Sequence, residues 1–216
     1  MKKLRSLAVL VIAAMALLLV GCGQKFDAKG YIQGELDAVL KGEITDDYLK
    51  LVDSSKEEIE AESAAMLDEV MEQFSGMGLS DELVGKYREY MSALMKKCKY
   101  TVGEATKDGD SYTVPVTIEP LLFGDAMETA MAGTEEELMA WATEAMSSGE
   151  TPTDAEIMEK TFEMLYNALN ENLDSIGYGE SKEHVLNVVK GSDGKYTVAE
   201  DEVTALGASM IDPGSF

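Results

Sequence analysis

Apolar residues recur along this chain with two periods, and the places where the period changes predict its elements. From Asp27 to Lys41 the apolar residues Tyr31, Ile32, Leu36, Val39 and Leu40 fall at helical spacing, with Gly42 following as a C-cap. A short helical turn is expected over Asp46 to Val52. Ser54 with Glu57 three residues on has the form of a capping box, and Ile59, Met66, Leu67, Val70, Met71 and Phe74 make one apolar face down to Gly76 and Gly78. Ser80 then caps a helix from Asp81 to about Lys97.

At Tyr100 the period drops to two. Tyr100 and Val102 alternate with polar neighbours, Lys107-Asp108-Gly109-Asp110 supplies a turn, and Tyr112, Val114, Val116 and Ile118 alternate with Thr113, Pro115, Thr117 and Glu119, which predicts a β-hairpin. Pro115 has no backbone N–H, so its strand is expected to be an edge strand or to carry a bulge. After Pro120 the helical period returns through Met127, Ala130, Met131, Leu138, Trp141, Ala142 and Ala145. Gly133 and a second box, Thr134 to Glu137, predict a break in that helix. Pro152 and a third box, Thr153 to Glu156, open a helix bearing Ile157, Thr161, Leu165, Ala168, Leu169 and Leu173, which stops near Gly177. Val185 to Val189 is expected as a mostly buried strand, with Gly191 to Gly194 as turn and Tyr196-Thr197-Val198 as its partner. The fold class is therefore α+β: helices packed on a small antiparallel sheet formed by two hairpins. The similar turns Lys107-Asp-Gly-Asp-Ser-Tyr112-Thr113-Val114 and Lys190-Gly-Ser-Asp-Gly-Lys-Tyr196-Thr197-Val198, each after a pair of helices, leave a duplicated helix-helix-hairpin unit open as an alternative.

The first residues belong to a different pattern. Met1-Lys2-Lys3-Leu4-Arg5 is basic, and the apolar run Leu7 to Val20 spans about 14 residues, against the roughly 20 that a membrane-spanning helix needs. Together they predict a signal peptide. The segment Leu19-Val20-Gly21-Cys22 resembles the lipobox of bacterial lipoproteins. That resemblance implies a diacylglyceryl group on the Cys22 thiol, signal-peptidase recognition through Leu19, Val20 and Gly21, and cleavage just before Cys22. The expected organisation is a signal peptide over 1–21, a lipidated N-terminus and short tether over 22–28, and one extracytoplasmic α+β domain over 29–216. The protein is then held at the outer face of the cell membrane by palmitate-type chains. Two such chains, at about 0.8 kcal/mol per buried methylene, suffice for stable anchoring.

Loss of Lys2, Lys3 and Arg5 with the leader moves the formal charge from −23 to about −26. A chain this acidic excludes nucleic acid and anionic lipid surfaces, which need clustered Lys and Arg. From Asp108 to Glu159 there is neither Lys nor Arg, so the molecule has an acidic side. It reads as a solvated surface first, and as a docking face for a basic partner or divalent cations second. Once Cys22 is lipidated only Cys98 remains, so no intramolecular disulfide forms. Cys98 shares its helical phase with Leu83, Val84, Tyr87, Met91, Leu94 and Met95 and is expected in the core.

Chemistry offers little. His184 is the sole histidine and shares strand parity with Leu186 and Val188, so it is read as structural. No H-E-x-x-H, C-x-x-C, G-x-S-x-G or phosphate-cradling glycine loop occurs. Asp108, Asp110 and Glu119 take positions one, three and twelve of an EF-hand-like loop, but Tyr112 and Thr113 stand where a ligand and a glycine belong. Glu57 and Glu58, or Glu135, Glu136 and Glu137, read as solvated helix faces. Met66, Met71, Met91, Met95, Met127, Met131 and Met164 lie on or beside apolar stripes and are expected as packing residues. Neither a metal nor a cofactor is expected.

The leader, the early helices and the Lys99-Tyr-Thr-Val102 … Lys107-Asp-Gly-Asp-Ser-Tyr-Thr-Val-Pro-Val116 hairpin together resemble uncharacterised lipoprotein families of Gram-positive bacteria, known mostly as domains of unknown function. The helix-on-sheet plan is similar in architecture to the NTF2-like and cystatin-like folds, which by itself assigns no activity. The leading expectation is a non-enzymatic binding or accessory protein that contacts an envelope partner. The alternatives are a small-ligand binder with a pocket between sheet and helices, and an enzyme working with carboxylates alone.

Overall fold

The computed structural model describes residues 18–19, 26–149, 151–192 and 194–214. Helix α1, Ala28–Leu36, opens on Asp27, whose carboxylate accepts from the Gly30 N–H at 2.8 Å. It runs into a π-helical turn, Asp37–Lys41, closed by Gly42 in the left-handed region at φ 70°. Helix α2, Asp46–Val52, ends at Asp53, whose φ of 47° turns the chain. Helix α3, Lys56–Ser75, begins with a capping box of Ser55 and Glu58, one residue later than the Ser54–Glu57 pair. Both pairs fit the spacing. Glu58 prevails because its carboxylate accepts from Ser55 N (2.9 Å), Ser55 Oγ (3.0 Å) and Ser54 Oγ (3.0 Å), a convergence only this register offers. Helix α4, Asp81–Lys96, is capped by Ser80 as its sequence predicts.

The sheet is antiparallel. Its strands are β1, Leu18–Leu19, β2, Lys99–Val102, β3, Thr106–Asp108, β4, Ser111–Glu119, β5, Lys182–Lys190, and β6, Lys195–Val198. Their order is β1-β6-β5-β4-β2, with β3 also on β4. The α+β class and the two hairpins stand, and the hairpins join through β4 and β5. Tyr112, Val114, Val116 and Ile118 are buried and alternate with half-exposed Ser111, Thr113, Pro115 and Thr117.

Pro115 is not on an edge, because β4 has neighbours on both sides. It is tolerated through a bulge. Val102 faces Val116 and Thr106 faces Thr113, so four steps of one chain oppose three of the other. Gly103 N donates to Pro115 O at 2.8 Å. A strand residue's N and O point the same way, so the N–H that Pro115 lacks falls on the side where the ladder is already interrupted. A Cβ on Gly103 would stand 2.7 Å from Pro115 Cγ and 3.3 Å from Pro115 O. Gly103→Ala is therefore expected to cost about 1–3 kcal/mol, read as a lower urea midpoint; an unchanged midpoint would show that the bulge yields freely.

On β5, Leu186 and Val188 are buried but Val185 and Val189 are 50% and 47% exposed. The expectation of a mostly buried strand fails here, because the sheet is covered on one face and its other face meets solvent. Helix α5, Phe123–Ser148, is continuous, with no break at Gly133. Thr134 is buried and donates its hydroxyl back to Ala130 O at 2.8 Å instead of capping a new helix with Glu137. The Thr153–Glu156 box does open a helix, α6, Asp154–Asn172. Helix α7, Glu200–Met210, follows β6 with no counterpart in the sequence reading, and buries Val203, Leu206 and Met210.

The layers build outward from the sheet. Helices α1 and α7 lie on the strands, α3 and α4 pack on the π-helical turn, α6 packs on α4, and α5 lies along α6 as the outermost element. Tyr87 of α4 joins three of these helices, stacking on Phe74 at 5.0 Å and meeting Phe162 and Tyr166 edge-on, while its hydroxyl donates to Phe162 O at 2.8 Å. At the chain's start Phe26 stacks on Tyr196 at 4.0 Å and is buried, so the packed domain takes in the end of the segment read as tether.

Candidate functional site

Val20, Gly21 and Cys22 lie outside the described residues, and Leu19 is described only as part of β1, where it faces Lys195. Among the described residues no helix is long and apolar enough to cross a membrane. Cys98 is buried as expected, and burial pushes its thiol up to about 12, so it is no nucleophile. His184 sits half-buried opposite Val116, with Nε2 unpartnered among the described residues. Asp108 and Asp110 flank the β3–β4 turn while Glu119 ends β4, roughly 27 Å away along the strand. The hairpin thus separates the three EF-hand-like carboxylates. Glu58 is a cap, and Glu135, Glu136 and Glu137 are exposed on α5.

The most distinctive polar group is one the sequence reading passed over. Glu35 is 6% exposed and accepts a hydrogen bond from the Tyr48 hydroxyl. Burial raises its pKa to about 7, the Tyr48 bond opposes the rise, and Glu62 adds to it. Its charge in turn pushes up the pKa of Tyr31 and Tyr48, which burial has already raised. The Tyr31 hydroxyl is buried and finds no partner among the described residues. A signal for Glu35 did exist. At 100° per residue it falls between Tyr31 and Ile32 in the apolar arc of α1, where a carboxylate does not belong unless it is held there.

Two residues on, Asp37 behaves in the opposite way. Burial raises its pKa, but hydrogen bonds from Lys41 (2.7 Å), Tyr100 (2.5 Å) and Gln33 (2.7 Å) outweigh that and hold it below the usual range. Tyr100 belongs to β2, so this bond pins the π-helical turn to the sheet, with Lys41 Nζ 4.6 Å above the Tyr100 ring. Two carboxylates two residues apart thus differ, one with its pKa raised to about 7 and one held below the usual range. The first is enclosed and the second is engaged by three donors.

The outer face is different in kind. Met71, Met91 and Met164 are buried, and Met66, Met95 and Met127 are half-buried, as packing residues should be. Met131 is 51% exposed, and on the same helix Met139 and Met146 are 63% and 75% exposed. Ile157 and Met158, in the first turns of α6, are also exposed. Glu159 accepts from Ser80 N at 3.0 Å and from Ser80 Oγ, which sets the α3–α4 turn with its exposed Met77 beside this end of α6.

No family model and no curated protein matches the chain. Its fold is similar to the crystal structure of "a putative lipoprotein (ycdA)" from Bacillus subtilis subsp. subtilis str. 168, with a TM-score of 0.59 and 14% identity over 86% of this chain. The chain spans about half, 56%, of the length of that protein. At this identity the likeness shows a shared α+β fold.

Proposed function

We propose that this protein is a lipoprotein held at the extracytoplasmic face of the cell membrane by a diacylglyceryl group on Cys22, and that it serves there as a non-enzymatic binding or accessory protein of the envelope. The segment Leu19-Val20-Gly21-Cys22, following a basic leader and a short apolar run, carries this reading. The fold supports it by its likeness to a protein described as a lipoprotein. Phe26, four residues after Cys22, is already packed in the domain, so the anchored domain stands close to the membrane. Cleavage before Cys22 removes β1 and leaves β6 as the sheet edge. That edge is four residues long and begins with Lys195, features that discourage edge-to-edge pairing. The acidic composition supports a role in protein contact away from the anionic lipid surface, with the acyl chains supplying the attachment.

Labelled palmitate is expected to enter the protein in living cells and to be absent from Cys22→Ala, which is released from the membrane fraction. Label retained by the variant overturns the anchor. Cross-linking of the anchored protein in cells is expected to capture one reproducible envelope protein that the variant does not capture.

A further inference from the structure

The geometry points to a docking stripe on α5: we propose that Met131, Met139 and Met146 receive a basic amphipathic helix of a partner protein. This rests on the reading that the protein works by contacting an envelope partner, and it names the surface and the chemistry of the contact. Met139 follows Met131 by eight residues and Met146 follows Met139 by seven, which at 100° per residue places all three within an arc of about 80°. All three are more than half exposed on the outermost helix of the molecule. A run of large apolar side chains left in solvent is what marks an interaction surface, and unbranched thioethers adapt to varied apolar partners.

The charge around the stripe selects the partner. Glu128 and Glu135 fall within the same arc, and from Asp108 to Glu159 the sequence has no cation to compensate them. A second copy of this chain would bring like charge against like, and an anionic membrane would do the same. Among the described residues no group of three or more carboxylate, histidine or cysteine side chains is gathered to hold a metal ion. A helix with apolar residues at helical spacing, flanked by Lys or Arg, satisfies both features at once.

At 100° per residue the sole tryptophan, Trp141, lies about 80° outside the methionine arc, so binding is read from a fluorophore carried by the peptide. The mature lipidated protein in vesicles of uncharged phosphatidylcholine is titrated into a peptide of Leu and Lys at amphipathic helical spacing. A scrambled peptide of the same composition and a Leu–Glu version serve as comparisons, and peptide binding to empty vesicles is subtracted. The Leu–Lys helix is expected to raise the anisotropy of the peptide fluorophore saturably. The combined variant Met131→Gln, Met139→Gln and Met146→Gln, made with a good helix former at surface positions, is expected to bind about tenfold more weakly or worse. Unchanged anisotropy, equal binding of the scrambled peptide, or a variant that binds like the native protein overturns the stripe. The mass of the same sample reads the lipid on Cys22. Lipid present without peptide binding therefore sinks the stripe alone, and peptide binding without lipid sinks the anchor alone.

Discussion

Replacing Glu35 with Gln is expected to stabilise the protein at pH 8 by roughly 3 kcal/mol while changing its stability little at pH 4. In the folded protein the pKa of Glu35 is about 7, raised chiefly by burial. In the unfolded chain it returns to the ordinary carboxylate value of about 4.3. Below that value both states are protonated and the group contributes no difference. Between about 4.3 and 7 the unfolded state has released its proton and the folded state has not, so stability falls by about 1.4 kcal/mol per pH unit. Above 7 the loss is complete. Gln keeps an oxygen to accept from the Tyr48 hydroxyl and does not titrate. The difference in unfolding free energy between variant and native protein, measured by urea at a series of pH values, should therefore rise across this window and then level off. A difference that stays flat with pH would show that Glu35 is ionised inside the fold.

Gly34→Ala should lower the unfolding free energy by about 3 kcal/mol or more, although an isolated helix would gain about 1 kcal/mol from the same change. Gly34 lies under the Tyr48 ring, and an added Cβ would stand 2.3 Å from Tyr48 Cδ2, 2.5 Å from Cγ and 2.7 Å from Cβ. Because the Tyr48 Cβ is itself in the way, rotating the ring gives no relief. Helix α2 must lift from α1, which withdraws the Tyr48 hydroxyl from Glu35 and leaves that carboxyl buried without its donor. Thermal or urea unfolding of the single variant decides the matter by sign: a gain in stability would mean that the contact is loose. The Glu35 and Gly34 effects should not add in a combined variant, since both act through Tyr48.

Much of the local structure was legible because it depends on residues close in the chain. The Ser80 and Thr153 caps, the left-handed Gly42, the short helix Asp46–Val52 and the alternation of β4 each follow from spacing and side-chain chemistry within a few residues. Where the same local rules allowed two answers, the outcome depended on which side-chain hydrogen bonds formed. Ser54 and Ser55 offered equivalent boxes until Glu58 gathered both hydroxyls. Thr134 could have opened a new helix, but its hydroxyl turned back to Ala130 and α5 ran on. Helix α7 escaped because Val203, Leu206 and Met210 form only a short stripe after an acidic turn, and its worth comes from covering β5.

The sequence by itself determined the α+β class, the two hairpins and the burial of Cys98. These follow from composition and short periods, which carry their physical meaning without a partner surface. Tertiary structure alone decided which polar and apolar groups end up covered. Glu35 has its pKa raised only because distant segments pack around it and bury it. Pro115 sits in mid-sheet only because the opposite chain bulges at Gly103. The methionines of α5, identical in kind to those of the core, stay in solvent because α5 is the last layer and no described element packs over it. Burial is a relation between distant segments, and no short stretch of sequence contains both of them.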